Sequence, residues 1–247
     1  MVTVLKVYQE KFYWIKMYFF KAKFFSPLFY DIDNFPNLPK YCFYLPFVVN
    51  LPNHVEEFSK KEIIKFLMVA KFQARKNHIL LLEALSEIKD SYFFELTIVG
   101  EVATPGQFDL FELVQNKISN LKLDRNVKLL LNIPFHQMQS IYLEHDVFIL
   151  PATNEPASIS ILEALGYGLP VICSNTCGTS VFVKNGETGY TFENNSLSSL
   201  KSVINSLLSK SSNLQLLKGN VKLHANRNFS PNVYYENFMK NLKHNIN

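Results

Sequence analysis

Residues 64–101 read IKFLMVAKFQARKNHILLLEALSEIKDSYFFELTIVGE. The stretch opens on a continuous apolar run, IKFLMVAK at 64–71, and passes through the basic loop FQARK into the amphipathic segment NHILLLEALSEIKDS at 77–91. A second apolar run, FELTIVGE at 94–101, closes it. An unbroken apolar strand is one buried on both faces, and two such strands joined by a helix-period segment lie parallel. A β-α-β unit follows. The alternation continues through GQFDLFELVQNKISNLKL, VKLLLNI, FHQMQSIYLEH, DVFILPAT, ASISILEALGYG, PVICSN, TGYTFE and LSSLKSVINSLLSK. The pattern predicts a doubly wound α/β domain with a parallel, Rossmann-like sheet over residues 62–228.

Composition sets the remaining bounds. An apolar content of 48% over 247 residues supports a packed core and excludes disorder as the main state. The net charge of +4 comes from scattered lysines, so nothing in it calls for nucleic acid. Cys42, Cys173 and Cys177 are odd in number and lack a histidine at zinc-type spacing, which predicts reduced thiols in a cytoplasmic protein and no metal site. No apolar run reaches the ~18 residues of a membrane helix. Membrane contact would be peripheral, at the inner face.

Residues 1–45 differ in character. YQEKFYWIKMYFFKAKFFSPLFYD at 8–31 is aromatic and basic, and reads either as a helix on an anionic membrane surface or as a helix packed on a neighbour. Lysines five apart wind around a helix and form no single face, which counts against the membrane. NFPNLPKYCFYLPFVVNLPN at 34–53 carries four prolines and predicts no regular element, with 46–61 as a linker. FSPNVYYENFMKNLKHNIN at 229–247 predicts a last helix with Ser230 as N-cap and Pro231 at its first position. DID at 31–33 sits near prolines and reads as a turn, and GYGLP follows a helix, so it is no dinucleotide fingerprint.

The chemistry concentrates in NEPASISILEALGYGLPVICSN at 154–175. Pro156 disfavours helical geometry at Glu155, so Glu155 is expected in the loop after the strand VFILPAT. The helix should begin at or just after Pro156, with Glu163 two turns inside it. Ligands of open parallel sheets bind outside the carboxyl ends of the strands, where helix N-termini point their amides. A carboxylate accepts from a pair of sugar hydroxyls, while the amides of Ser158, Ile159 and Ser160 suit phosphate oxygens. That combination fits a sugar nucleotide. The competing reading puts Glu163 on a solvated helix face with Ser160 and Tyr167, and leaves Glu155 as a complement to the helix dipole.

EPASISILEALGYGLPVICSN resembles the E-x7-E signature of the retaining glycosyltransferases of family 4, which have the two-domain GT-B fold. Further matches come in family order: LMVAKFQARKNHILLLEAL resembles the strand, basic loop and helix that open the C-terminal domain, and LTIVGE its second strand and glycine turn. YLEHDVFILPATNE resembles the strand leading into the signature, and NGETGYTF the segment after it. The resemblance covers roughly residues 45–245. It implies the C-terminal, donor-binding half of a GT-B glycosyltransferase, with residues 1–45 a remnant of the acceptor domain or interface helices.

Residue by residue, the resemblance implies Glu163 on the donor's ribose hydroxyls and Glu155 on the transferred sugar. It puts the amides of Ser158, Ile159 and Ser160 near sugar and phosphates, and Lys71 and Lys76 on the diphosphate. Gly100 and Glu101, with the turn at Asn132, Ile133 and Pro134, would border the nucleoside. The catalytic set is then Glu155, Lys76 and Lys71. The donor implied is a nucleoside-diphosphate sugar such as a UDP- or GDP-sugar, without metal or other cofactor, and the acceptor a glycan or glycolipid of a surface polysaccharide. The family's usual glycine and arginine before the basic loop are Ala70 and Lys71 here, which keeps charge but loses bidentate geometry, and Arg75 is the candidate to restore it. Asn132 stands where glycine is common, and Pro156 and Ser158 replace glycines of the signature. The acceptor domain's glycine-rich loop and cleft histidine have no counterpart, His54 and His78 falling elsewhere. Three expectations remain: a fragment of a longer, truncated enzyme, a half-enzyme completed by a separate acceptor-binding polypeptide, or a non-catalytic nucleotide-sugar-binding subunit.

Overall fold

The computed structural model describes residues 24–26, 42–45, 47–49, 51–52 and 63–243. The chain divides into two compact units, Met1–Val48 with Pro231–Asn247, and Val49–Ser230. In the first, β1 (Phe24–Ser26) pairs in parallel with β2 (Cys42–Tyr44). This corrects two expectations, a helix running through 24–26 and the absence of any regular element in 34–53. The six residues between Pro39 and Pro46 contain no proline and include Tyr41, Phe43 and Tyr44, which favour strands. The remainder of the membrane-surface segment, the turn at Asp31–Asp33 and His54 lie outside the described residues.

The second unit carries the sheet. Along the chain come β3 (Ile64–Val69), α1 (His78–Ser86), β4 (Phe94–Gly100), α2 (Pro105–Asn120), β5 (Val127–Leu131) and α3 (Phe135–Leu143). They are followed by β6 (Val147–Leu150), α4 (Ile159–Gly166), β7 (Val171–Ser174), β8 (Gly189–Phe192), α5 (Leu197–Ser209) and α6 (Leu214–Phe229), with α7 (Pro231–Lys243) after them in the first unit. The six strands pair in parallel in the order β5-β4-β3-β6-β7-β8. This is the doubly wound, Rossmann-like α/β fold that the alternation predicts.

The strands form because they can be covered. β6 and β7 are buried at every position, as continuous apolar runs require, and Phe66, Leu67, Met68, Leu96, Ile98 and Phe148 make the middle of the core. Edge strand β5 is only half covered. α1 packs on α5, and α6 packs on α4. α6 is an element the segment alternation does not predict, although its buried Leu214, Leu217, Val221, Ala225 and Phe229 recur at helical spacing. Val49 is buried in this core and Leu51 packs against it, so these two positions, expected in a linker, belong to the sheet unit. Among the described residues no helix is long and apolar enough to cross a membrane.

Candidate functional site

Strand order reverses between β3 and β6, and a crevice opens there at the carboxyl ends of the strands. The loop after β3 carries Lys71, Arg75 and Lys76, and the loop after β6 carries Glu155. The Thr153 amide donates to the Arg75 carbonyl at 2.7 Å and holds the two loops together. The crevice is a cleft of about 990 Å³. Lys71, Arg75, Lys76, Gly100, Glu101, Asn132, Ile133, Glu155, Ser158, Ile159, Ser160 and Glu163 all line it. Pro134 does not; it stands ahead of α3 as its N-cap.

Glu155 is the electrostatic centre. The residue is buried, 5% exposed, and its Oε2 accepts from both Arg75 Nη1 and Lys76 Nζ. Lys76 is itself only 9% exposed, whereas Arg75 reaches towards solvent. A buried ammonium beside a buried carboxylate is stable only as a pair, which fixes both side chains. Gly178 supports the loop: its amide donates to the Glu155 carbonyl at 2.8 Å, and a Cβ there would lie 2.0 Å from the Pro156 carbonyl oxygen. Only glycine admits that approach, and nothing in the sequence spacing pointed to it. Lys71 stands apart from this cluster. Its ammonium pairs with Glu101 at 2.7 Å, both side chains about half exposed, so the pair holds weakly and either partner can exchange.

The helix start differs from expectation. α4 begins at Ile159, not at Pro156, because the Ser158 side chain caps it by accepting from the Ile161 amide. Glu163 is therefore the fifth helical residue, nearer the helix start than two turns. The amides of Ile159 and Ser160, in the first turn, have no earlier helical carbonyl to bond. The solvated-face alternative for Glu163 is overturned, since Tyr167 is buried and Glu163 is half-buried and bonded to Tyr142, whose hydroxyl donates to Glu163 Oε2 at 2.8 Å. Burial raises the Glu163 carboxyl above its ordinary value, and the Tyr142 hydrogen bond opposes that shift. Tyr142 is a residue the sequence reading missed, because the contact joins different helices.

Asn132 fits where a glycine is usual because its φ is 52°, in the left-handed region that asparagine tolerates better than other side chains. Its side chain accepts from the Val102 amide at 2.9 Å and donates to the Val102 carbonyl at 3.2 Å, clamping the turn after β5 to the loop after β4. Gly100 is required on other grounds: a Cβ there would meet the Phe72 ring at 2.3 Å. Phe72 in turn stacks on His78, ring centroids 4.9 Å apart.

His78 is buried, and neither ring nitrogen has a hydrogen-bond partner among the described residues. Burial, and secondarily the charge of Lys76, lower its pKa from 6.5 to about 4. The unfolded chain thus binds this proton more readily than the folded one. Stability is complete above pH 6.5 and declines as the pH falls towards 4. The His78→Phe variant keeps the ring stack, and its melting temperature is expected to fall less than the parent's between pH 6.5 and pH 4. Parallel curves in a pH-dependent melting series would show that other groups carry the acid sensitivity.

The sequence matches the glycosyl transferases group 1 family over residues 52–224. It is 33% identical over 157 residues to the UDP-Gal:alpha-D-GlcNAc-diphosphoundecaprenol alpha-1,3-galactosyltransferase of Escherichia coli, covering 60% of this chain and 37% of that protein. The fold is similar to that of a glycosyltransferase from Rickettsia africae, with a TM-score of 0.72 and 21% identity over 87% of this chain and 61% of the other. It is also similar to Anabaena Alr3699/HepE in complex with UDP and glucose, with a TM-score of 0.73 and 16% identity over 90% of this chain and 63% of the other. The chain thus spans less than two thirds of the length of each. The family match itself takes in well over half of the chain, and on it this protein belongs to the glycosyl transferases group 1 family.

Proposed function

We propose that the cleft holds a nucleoside-diphosphate sugar and that the chain is the donor-binding part of a retaining, metal-independent glycosyltransferase of family 4. The sugar would go to a glycan or glycolipid acceptor in surface-polysaccharide synthesis, the acceptor being bound by a further domain or subunit. One observation carries the reading: a buried carboxylate, Glu155, and two cations, Lys76 and Arg75, converge at the switch point beside the amides of Ile159 and Ser160. Breaking the bond between the anomeric carbon and the diphosphate oxygen leaves negative charge on the diphosphate and develops positive charge on the ring. Fixed cations and amides offset the first and a carboxylate the second. The acceptor hydroxyl oxygen bonds to the anomeric carbon as the bond to the diphosphate oxygen breaks, and its proton passes to that departing oxygen. The similarity to an enzyme named for UDP-Gal and a diphosphoundecaprenol-linked sugar supports this class of donor and acceptor.

Calorimetric titration of the chain with UDP, GDP and ADP tests the proposal. Micromolar binding of one nucleotide is expected, weakened about ten-fold or more by Glu163→Ala and by Lys76→Ala, since each removes a charge-assisted contact. Binding of none would sink the donor-site reading. Donor hydrolysis that Glu155→Ala abolishes marks an enzyme, whereas binding without turnover marks a nucleotide-sugar-binding subunit.

A further inference from the structure

A carboxylate that must accept from two adjacent hydroxyls works only if its plane is fixed. Glu163 faces the cleft from the second turn of α4 and has rotatable bonds of its own. What restrains it is Tyr142, at the end of a different helix. The Tyr142 ring is 1% exposed and lies parallel to the Tyr167 ring, with centroids 4.9 Å apart and planes 9° apart. Phe148 of β6 packs against it as well, at 6.3 Å. So held, the ring cannot swing, and its hydroxyl meets Glu163 Oε2 at 2.8 Å. Tyr142 does not line the cleft, so it acts on a ligand there only through Glu163.

Resting on the donor-site reading above, we propose that Tyr142 is a positioning residue for the nucleoside, its hydroxyl bonding Glu163 Oε2 so that Oε1 is turned to the ribose 2′ and 3′ hydroxyls. The division of labour suits both groups. Phenylalanine would fill the same space between Tyr167 and Phe148, whereas a buried hydroxyl is costly unless bonded, and this one has a carboxylate. The hydroxyl remains a donor, because burial first and the Glu163 charge second push its ionisation well above the ordinary tyrosine value.

The test compares Tyr142→Phe with the parent in calorimetric titrations, using whichever of UDP, GDP and ADP the parent binds and the 2′,3′-dideoxy form of the same nucleotide. The parent is expected to prefer the ribonucleotide. In Tyr142→Phe the ribonucleotide should weaken about ten-fold, the scale of one hydrogen bond to a charged group, while the dideoxy nucleotide is unaffected. In a Glu163→Ala background Tyr142→Phe should add nothing, since it acts only through the carboxylate. Equal losses for both nucleotides would mean a packing role, and no loss for either would mean no role; each overturns the inference while leaving the donor site standing. A parent that binds the two forms equally removes Glu163 from the ribose and overturns it too. A parent that binds no nucleotide sinks the donor-site reading and this inference with it.

Discussion

Asp146→Ala is expected to destabilise the sheet unit by about 3–5 kcal/mol, the scale of breaking a buried ion pair from one side. For a unit of this size that lowers the melting temperature by about 10 °C. Asp146 is 0% exposed and sits one residue before β6. Its Oδ2 accepts the Lys65 amide at 3.0 Å, its own amide donates to the Lys65 carbonyl at 2.8 Å, and its Oδ1 takes Lys218 Nζ from α6 at 3.0 Å. One carboxylate therefore ties β3, β6 and α6 together, and alanine would strip it from a backbone amide and a largely buried ammonium at once. The contrast is Glu95→Ala. Its pair with Lys65 is 3.6 Å long with both side chains about half exposed, so a shift within about 0.5 kcal/mol is expected. Thermal and denaturant unfolding read both variants. A melting shift for Asp146→Ala no larger than that for Glu95→Ala would mean that the interior of the strand pair, not this carboxylate, sets its stability.

The fold was legible because parallel strands must be buried on both faces, and FLMV at 66–69 and VFIL at 147–150 have the composition that burial demands. Strand order was not, since it depends on which apolar runs meet in space; the reversal between β3 and β6 appears only in the pairing. α6 carried a helical spacing that remained unread, and β2 hid between two prolines. In the site, Glu155 and Glu163 stood out through their spacing, and the basic loop through its charge. Tyr142 and Gly178 did not. Tyr142 meets Glu163 through the packing of one helix beside another, and Gly178 meets Pro156 through the close approach of two loops. The helix start moved to Ile159 because a serine hydroxyl in reach of an amide outweighs a proline two residues earlier.

Glu155→Gln is expected to separate binding from chemistry. In the free protein the Glu155 carboxylate is the counter-charge of Lys76 and Arg75. Under the proposed function, a diphosphate would bring its own negative charge to those cations and release the carboxylate to the sugar, where ring charge would develop as the bond to the diphosphate lengthens. Glutamine keeps the size and one acceptor oxygen but not the charge. The two cations then meet the diphosphate without a competitor, so the affinity for the nucleoside diphosphate should equal or exceed that of the parent in calorimetry. Turnover, followed as donor hydrolysis or transfer, should fall about 100-fold or more, the usual loss when one preorganised contact to developing charge is removed. A variant that loses turnover with unchanged or tighter nucleotide binding has lost an interaction specific to the transition state. If nucleotide affinity instead drops ten-fold along with turnover, Glu155 serves to hold Lys76 and Arg75 in place, and the carboxylate has no separate part in stabilising the sugar.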